Sequence, residues 1–143
     1  MMNYLLVAGG RNYENWEEFQ KIVEANIPES WVNMSEIVIV EGGAHGTDEM
    51  AERFAKERGA MVKEFRADWV KYGRAAGPKR NDAMAKYIAE NGGRALFFWD
   101  GRSKGTQDCI RSAKKRGLMV TIWNTLEGRY MEILGCKIER TVE

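Results

Sequence analysis

The sequence predicts an α/β fold, a doubly wound five-stranded parallel sheet in a single Rossmann-like domain. Three observations carry that expectation. Short apolar runs alternate with stretches of helical period in the order β-α-β-α-β-α-β-α-β. The apolar runs are continuous rather than alternating, as in strands covered on both faces. Three of them end in glycine-bearing loops that lead toward helices. Right-handed crossovers then place helices on both sides of the sheet.

Each element follows from local pattern. Residues 3–8 (NYLLVA) form the first strand and end at Gly9-Gly10. Residues 14–26 set Trp16, Phe19, Ile22 and Val23 at near-helical spacing with acids on the other side, and Pro28 lies beyond the end. Residues 36–41 (EIVIVE) are a second buried strand. From 47 to 58, Met50, Ala51, Phe54 and Ala55 make one helical stripe that Gly59 closes. Residues 60–65 are a third, more exposed strand, and 66–78 carry no period. Pro78 opens a helix that runs to Glu90, with Ala83, Met84, Tyr87 and Ile88 inward, and Asn91-Gly92-Gly93 stops it. Residues 94–100 are a fourth strand, 105–116 a fourth helix and 118–123 a fifth strand. The domain is therefore expected over 1–123. Residues 124–143 fit no further βα unit and form a C-terminal extension, read either as a small hairpin turning at Gly135 or as a strand added to a partner subunit.

Composition narrows the class. A chain of 143 residues suits one core. No apolar run approaches the roughly 20 residues a membrane helix needs. The N-terminus lacks a basic lead-in, and the apolar run Tyr4–Ala8 is too short for a signal-peptide core, so a cytoplasmic protein is expected. Cys109, Cys136 and the single histidine match neither a disulfide framework nor zinc-ligand spacing, so no metal or cofactor is expected. The net charge of +1 conceals a segregation: residues 66–116 hold 13 Lys/Arg against 5 Asp/Glu, and the remainder 9 against 16. A basic middle in a neutral chain suits an anionic ligand at one place, although Arg111, Lys114, Lys115 and Arg116 read better as a solvated helix face.

In a parallel sheet, ligands bind beyond the C-terminal ends of the strands. The glycine loops AGGRNY, EGGAHGTD and WDGRSKGTQD all sit at such ends. Free N–H groups at a helix N-terminus attract anions, and glycine admits a phosphate without an intervening side chain. Any one loop reads equally well as a simple turn. Three on one edge, with Arg11 in the first and Arg102, Ser103 and Lys104 in the third, favour a phosphate-bearing ligand. No G-x-x-x-x-G-K-[ST] occurs and no G-x-G-x-x-G follows the first strand, which sets aside P-loop NTPase and standard dinucleotide chemistry.

The stretches GGAHGTDEMAERFA, FRADWVKYGRAAGPKRNDAM and FFWDGRSKGT, in that order, resemble the SLOG superfamily, and within it the small YspA/YpsA-related SLOG proteins of bacterial and phage genomes. The resemblance covers about residues 3–122. It implies a Rossmann-like domain that binds nucleotides or nucleotide-derived ligands. Relatives include Lonely Guy-type phosphoribohydrolases, the DNA-processing protein A family and domains that sense nucleotide messengers. Gly42, Gly43, Gly46 and Asp48 match the first signature, and Gly101, Gly105 and Thr106 the second. The hydrolase signature continues with a glutamate in the helix's first turn. Here that position is Cys109, and the nearest carboxylate, Asp108, is one residue early. One helical step turns a side chain by about 100°, so Asp108 does not simply replace that glutamate.

The remaining candidates keep two readings each. His45 is a ligand contact or merely exposed, since no acidic partner accompanies it at a fixed spacing. Asp48 caps a helix or meets a ribose hydroxyl. Arg80 and Asn81 contact phosphate or are surface residues, and Trp69 and Tyr72 stack on a base or form a lid. With Gly9, Gly10, Thr47 and Asp100, these residues and the loop positions above make up the expected ligand site. Asp108, Asp100 and Glu49 are the carboxylates available for catalysis, with Asp68 a further acid in the loop.

Three functions follow in order of preference. The first is a sensor or sequestering protein for a nucleotide-derived small molecule, the second a nucleotide N-glycosidase, and the third single-stranded DNA binding. A homo-oligomer is expected by analogy with Lonely Guy-type relatives.

Overall fold

The computed structural model of the protein describes residues 1–139. Along the chain these form β1 (Asn3–Gly9), α1 (Trp16–Ala25), β2 (Ile37–Glu41), α2 (Thr47–Arg58), β3 (Met61–Glu64), α3 (Trp69–Tyr72), α4 (Ala76–Glu90), β4 (Arg94–Trp99), α5 (Lys104–Lys115), β5 (Val120–Asn124), β6 (Arg129–Ile133) and β7 (Cys136–Lys137). The sheet order is β3-β2-β1-β4-β5-β6-β7. The first five strands in that order pair in parallel, and β6 and β7 add antiparallel.

Strand side chains alternate between faces, and the alternation sorts the core into two layers. Leu5, Val7, Ile37, Ile39, Leu96 and Phe98 face α1 and α2, where they meet Phe19, Val23, Ala51 and Phe54. Leu6, Ala8, Val38, Val40, Phe97 and Ile122 face α4 and α5, where they meet Met84, Ile88, Ile110 and Ala113. A continuous apolar strand is thus a requirement of burial on both sides. Asn15 starts α1 by accepting the Glu18 N–H at 3.2 Å, and Gly59, at φ 76°, ends α2.

The structure departs from expectation in three places. The aperiodic segment contains one turn of α-helix, α3, and a 3-10 turn at 73–75, and α4 begins at Ala76, two residues before Pro78. Proline fits there because first-turn N–H groups have no intrahelical acceptor. The fifth strand begins at Val120, two residues later than predicted. The sheet also has seven strands rather than five, because β6 pairs with the chain's own β5. Within the described part of the extension, 124–139, the chain makes a hairpin: Leu134 and Gly135 link β6 to β7, both at positive φ, as a tight hairpin turn of the primed type requires, and residues 140–143 of the expected extension lie outside the described residues. Among the described residues no helix is long and apolar enough to cross a membrane.

The chain lays β2 and β3 to one side of β1 and then returns to place β4 on the other. This reversal opens a crevice beyond the C-terminal ends of β1 and β4, the usual position of a ligand in such sheets.

Candidate functional site

A cleft of about 800 Å³ fills that crevice. Gly9, Gly10 and Arg11 line it from the end of β1, and Asp100, Ser103, Lys104, Gly105 and Thr106 from the β4–α5 turn. Asp48 of α2, Trp69 of α3, and Arg80 and Asn81 of α4 complete the expected part of the wall, with Asp108 alongside. Gly42, Gly43, His45, Gly46, Thr47, Glu49 and Gly101 do not line it, nor do Asp68 and Tyr72.

The glycines of the β2–α2 loop are taken up by the protein itself. A Cβ on Gly46 would lie 2.4 Å from the Arg11 carbonyl oxygen, and one on Gly42 would lie 2.7 Å from an Arg80 nitrogen. Thr47, fully buried, donates both its N–H (3.2 Å) and its hydroxyl (2.9 Å) to the Gly10 carbonyl. The loop after β2 is therefore clamped onto the loop after β1. The N-terminus of α2 is also occupied by its own carboxylates. Asp48 accepts the Ala44 N–H at 3.1 Å, and Glu49 accepts the Gly46 N–H at 3.2 Å. His45 does have an acidic partner: its Nδ1 lies 2.6 Å from Glu49 Oε1, four residues on, and the pair is exposed.

The carboxylates of the cleft differ in environment. Burial pushes Asp48 up to about 6, against opposing hydrogen bonds from the Ala44 and Gly42 N–H groups and the nearby charges of Arg80 and Arg11. Asp100 accepts the Ser103 and Arg102 N–H groups, each at 2.8 Å, and these bonds hold it below the usual carboxylate range. It is a turn-former that stays ionised. Asp108 is oriented by a relay: Arg80 donates to the Gly42 carbonyl at 2.6 Å and to Asn81 Oδ1 at 3.0 Å, and Asn81 Nδ2 donates to Asp108 at 3.0 Å. Cys109 is buried and its thiol is pushed up to about 12 by desolvation, which removes it as a nucleophile.

None of the wall's three cations, Arg11, Arg80 and Lys104, has an ion pair among the described residues, but Arg80 is held by the Gly42 carbonyl and Asn81, which leaves Arg11 and Lys104 as the free ones. The Arg11 guanidinium stands 5.6 Å from the Trp69 ring centroid, and Trp69 leans on the surface of α4 at Gly77. The Ser103 hydroxyl meets the Thr106 hydroxyl at 3.4 Å and accepts no backbone N–H of α5, so first-turn N–H groups of α5 are left for a ligand or water. Asn12, Tyr13, Ala44, Met84, Thr125 and Leu126 also line the cleft and were missed in sequence. The first two were within reach as neighbours of Arg11, whereas Thr125 and Leu126 arrive with the turn after β5, which carries no glycine signature.

The profile of the YspA, cpYpsA-related SLOG family matches residues 4–72. Gene 61 protein of Mycobacterium phage D29 is 35% identical over 124 residues, covering 83% of this chain and 94% of the phage protein. The chain belongs to the YspA, cpYpsA-related SLOG family. Among solved structures, DNA processing protein A (DprA) of Streptococcus pneumoniae superposes with a TM-score of 0.66 at 18% identity, over 90% of this chain and 53% of DprA. The structural-genomics protein TM1055 superposes with a TM-score of 0.51 at 16% identity, over 83% of this chain and 72% of its own. At such identities these two matches establish the shared SLOG fold, and this chain spans about half the length of DprA.

Proposed function

We propose that this SLOG protein binds a nucleotide or nucleotide-derived small molecule in the β1/β4 cleft, as a sensor or sequestering protein. The observation that carries the reading is the conjunction at one wall of open main chain and free positive charge. Gly9 is packed against the Phe98 carbonyl, but Gly10, with no atom within 4 Å of a would-be Cβ, and the first-turn N–H groups of α5 lie beside Arg11 and Lys104, neither of them in an ion pair among the described residues. Phosphates belong on that wall rather than at α2, whose N-terminus already holds Asp48 and Glu49. Trp69, half exposed at the rim, offers a face for the base, and Asp48 suits a ribose hydroxyl.

A second reading, hydrolysis of an N-glycosidic bond, is favoured by the relay that aims Asp108 at the cleft. One incubation separates the two. The protein is mixed with mono-, di- and cyclic nucleotides and ADP-ribose derivatives, and bound and free fractions are analysed by mass spectrometry. Intact ligand retained without free base supports binding alone. Free base that accumulates with turnover and disappears in Asp108→Asn supports hydrolysis. If neither is seen, but a single-stranded oligonucleotide binds with a steep salt dependence, the polynucleotide alternative takes precedence.

A further inference from the structure

On the far side of the β2–α2 loop from the cleft, β2 ends in a carboxylate that the fold buries. Glu41 is 0% exposed. Its Oε1 accepts the Gly43 N–H at 2.6 Å, but its Oε2 is buried with no hydrogen-bond partner. A buried polar atom in that condition calls for a proton, a water or a cation. The parallel ladder sets Glu64 of β3 beside Glu41, and α2 brings Glu52. One carboxylate oxygen from each of the three residues lies within 4.8 Å of the others. Lys56 pairs with Glu52 at 2.8 Å and Arg66 with Glu64 at 2.7 Å, so two cations face three carboxylates.

We propose that Glu41, Glu52 and Glu64 form a binding site for one divalent cation of calcium's size. Calcium takes oxygen ligands at about 2.3–2.6 Å, so oxygens on opposite sides of the ion stand roughly 4.6–5.2 Å apart. The three carboxylates fit around one such ion with little movement. The donor set is all oxygen, which suits a hard cation and not zinc. Lys56 and Arg66 are 71% and 77% exposed and can turn to solvent as the ion takes their place. The unpartnered Oε2 gains its missing contact. Because Glu41 and Gly43 are hydrogen-bonded, the ion would pin the loop that α2 grows from, whatever the cleft binds.

The test is equilibrium dialysis of the EDTA-treated full chain against calcium chloride, with thermal unfolding in parallel. The expected result is one saturable calcium per chain, with Kd on the order of 10⁻⁴–10⁻³ M, and a higher Tm. Glu41→Gln and Glu64→Gln should each weaken binding by about tenfold or more, while Glu57→Gln, on α2 like Glu52 but paired with Arg53, should not. Glu64 lies on an edge strand, so its variant keeps the test valid even if Glu41→Gln fails to fold. Absence of saturable calcium binding, or undiminished affinity in Glu64→Gln, would overturn the proposal.

Discussion

Asp48 is the residue at which folding and the proposed binding compete. Its folded carboxyl titrates at about 6, above its ordinary value of 3.8. A raised carboxyl contributes fully below the unfolded value and loses that contribution as pH rises through the folded one. Stability should therefore fall between about pH 4 and pH 7, by about 3 kcal/mol from this group. Urea unfolding of Asp48→Asn across that range should show the slope flattened. The two thiols make a second contrast. Cys136 is exposed and Cys109 buried, so a thiol reagent should titrate one equivalent quickly in the native protein and the second only in denaturant. A second fast equivalent would show that the cleft floor opens. At this scale the sequence was informative where chemistry is local. The exchange of the hydrolase glutamate for Cys109 was visible in one turn of helix. The Arg80–Asn81–Asp108 relay was not, because it runs from the β2 loop through α4 to α5, and no spacing rule joins those three segments. The His45–Glu49 pair was legible in principle as an i,i+4 contact and was missed.

Loops and helix ends separate glycines that serve the fold from glycines that serve a ligand. Gly46→Ala would push a Cβ into the Arg11 carbonyl at φ 74° and should cost about 1–3 kcal/mol or more, read as a lower urea midpoint at unchanged slope. Gly105 lies in the first turn of α5 with no atom within 4 Å of its would-be Cβ. Gly105→Ala should leave the fold intact or stabilise it by up to about 1 kcal/mol. If phosphate approaches that turn, the same variant should weaken nucleotide binding. The glycine pattern was readable from the chain, but its purpose was not: glycine marks where the backbone has freedom, and only the packing shows which neighbour uses it. The hairpin offers a further check. Lys114 reaches Glu132 of β6 at 2.9 Å, and the Glu132 side chain is 4% exposed. Lys114→Ala leaves that carboxylate buried alone and should cost about 2 kcal/mol, less than the roughly 3–5 of a fully buried pair, because Lys114 is 43% exposed.

Over the whole molecule, binary pattern and crossover handedness were enough to foresee the layers, since a parallel strand covered on both faces leaves an unmistakable apolar run. The strand order was less visible. A sequence shows that β4 follows α4, not that it returns to the far side of β1, and that return is what creates the cleft. The extension was hardest, because β6 is short and half exposed and its partner, β5, is set by the edge left open. Charge segregation also acts at this scale. If binding is confined to the cleft, affinity for a mononucleotide should fall shallowly with salt, whereas a polynucleotide on the basic 66–116 region should fall steeply. One contact joins the two halves of the sheet at the cleft floor: the Gly10 N–H donates to the Phe98 carbonyl at 3.2 Å. Its acceptor sits on a central strand, so this amide should exchange with deuterium only when the sheet parts between β1 and β4. The Gly10 resonance would then serve as a clock for site assembly, slow in every state that keeps the cleft and fast in any that has lost it.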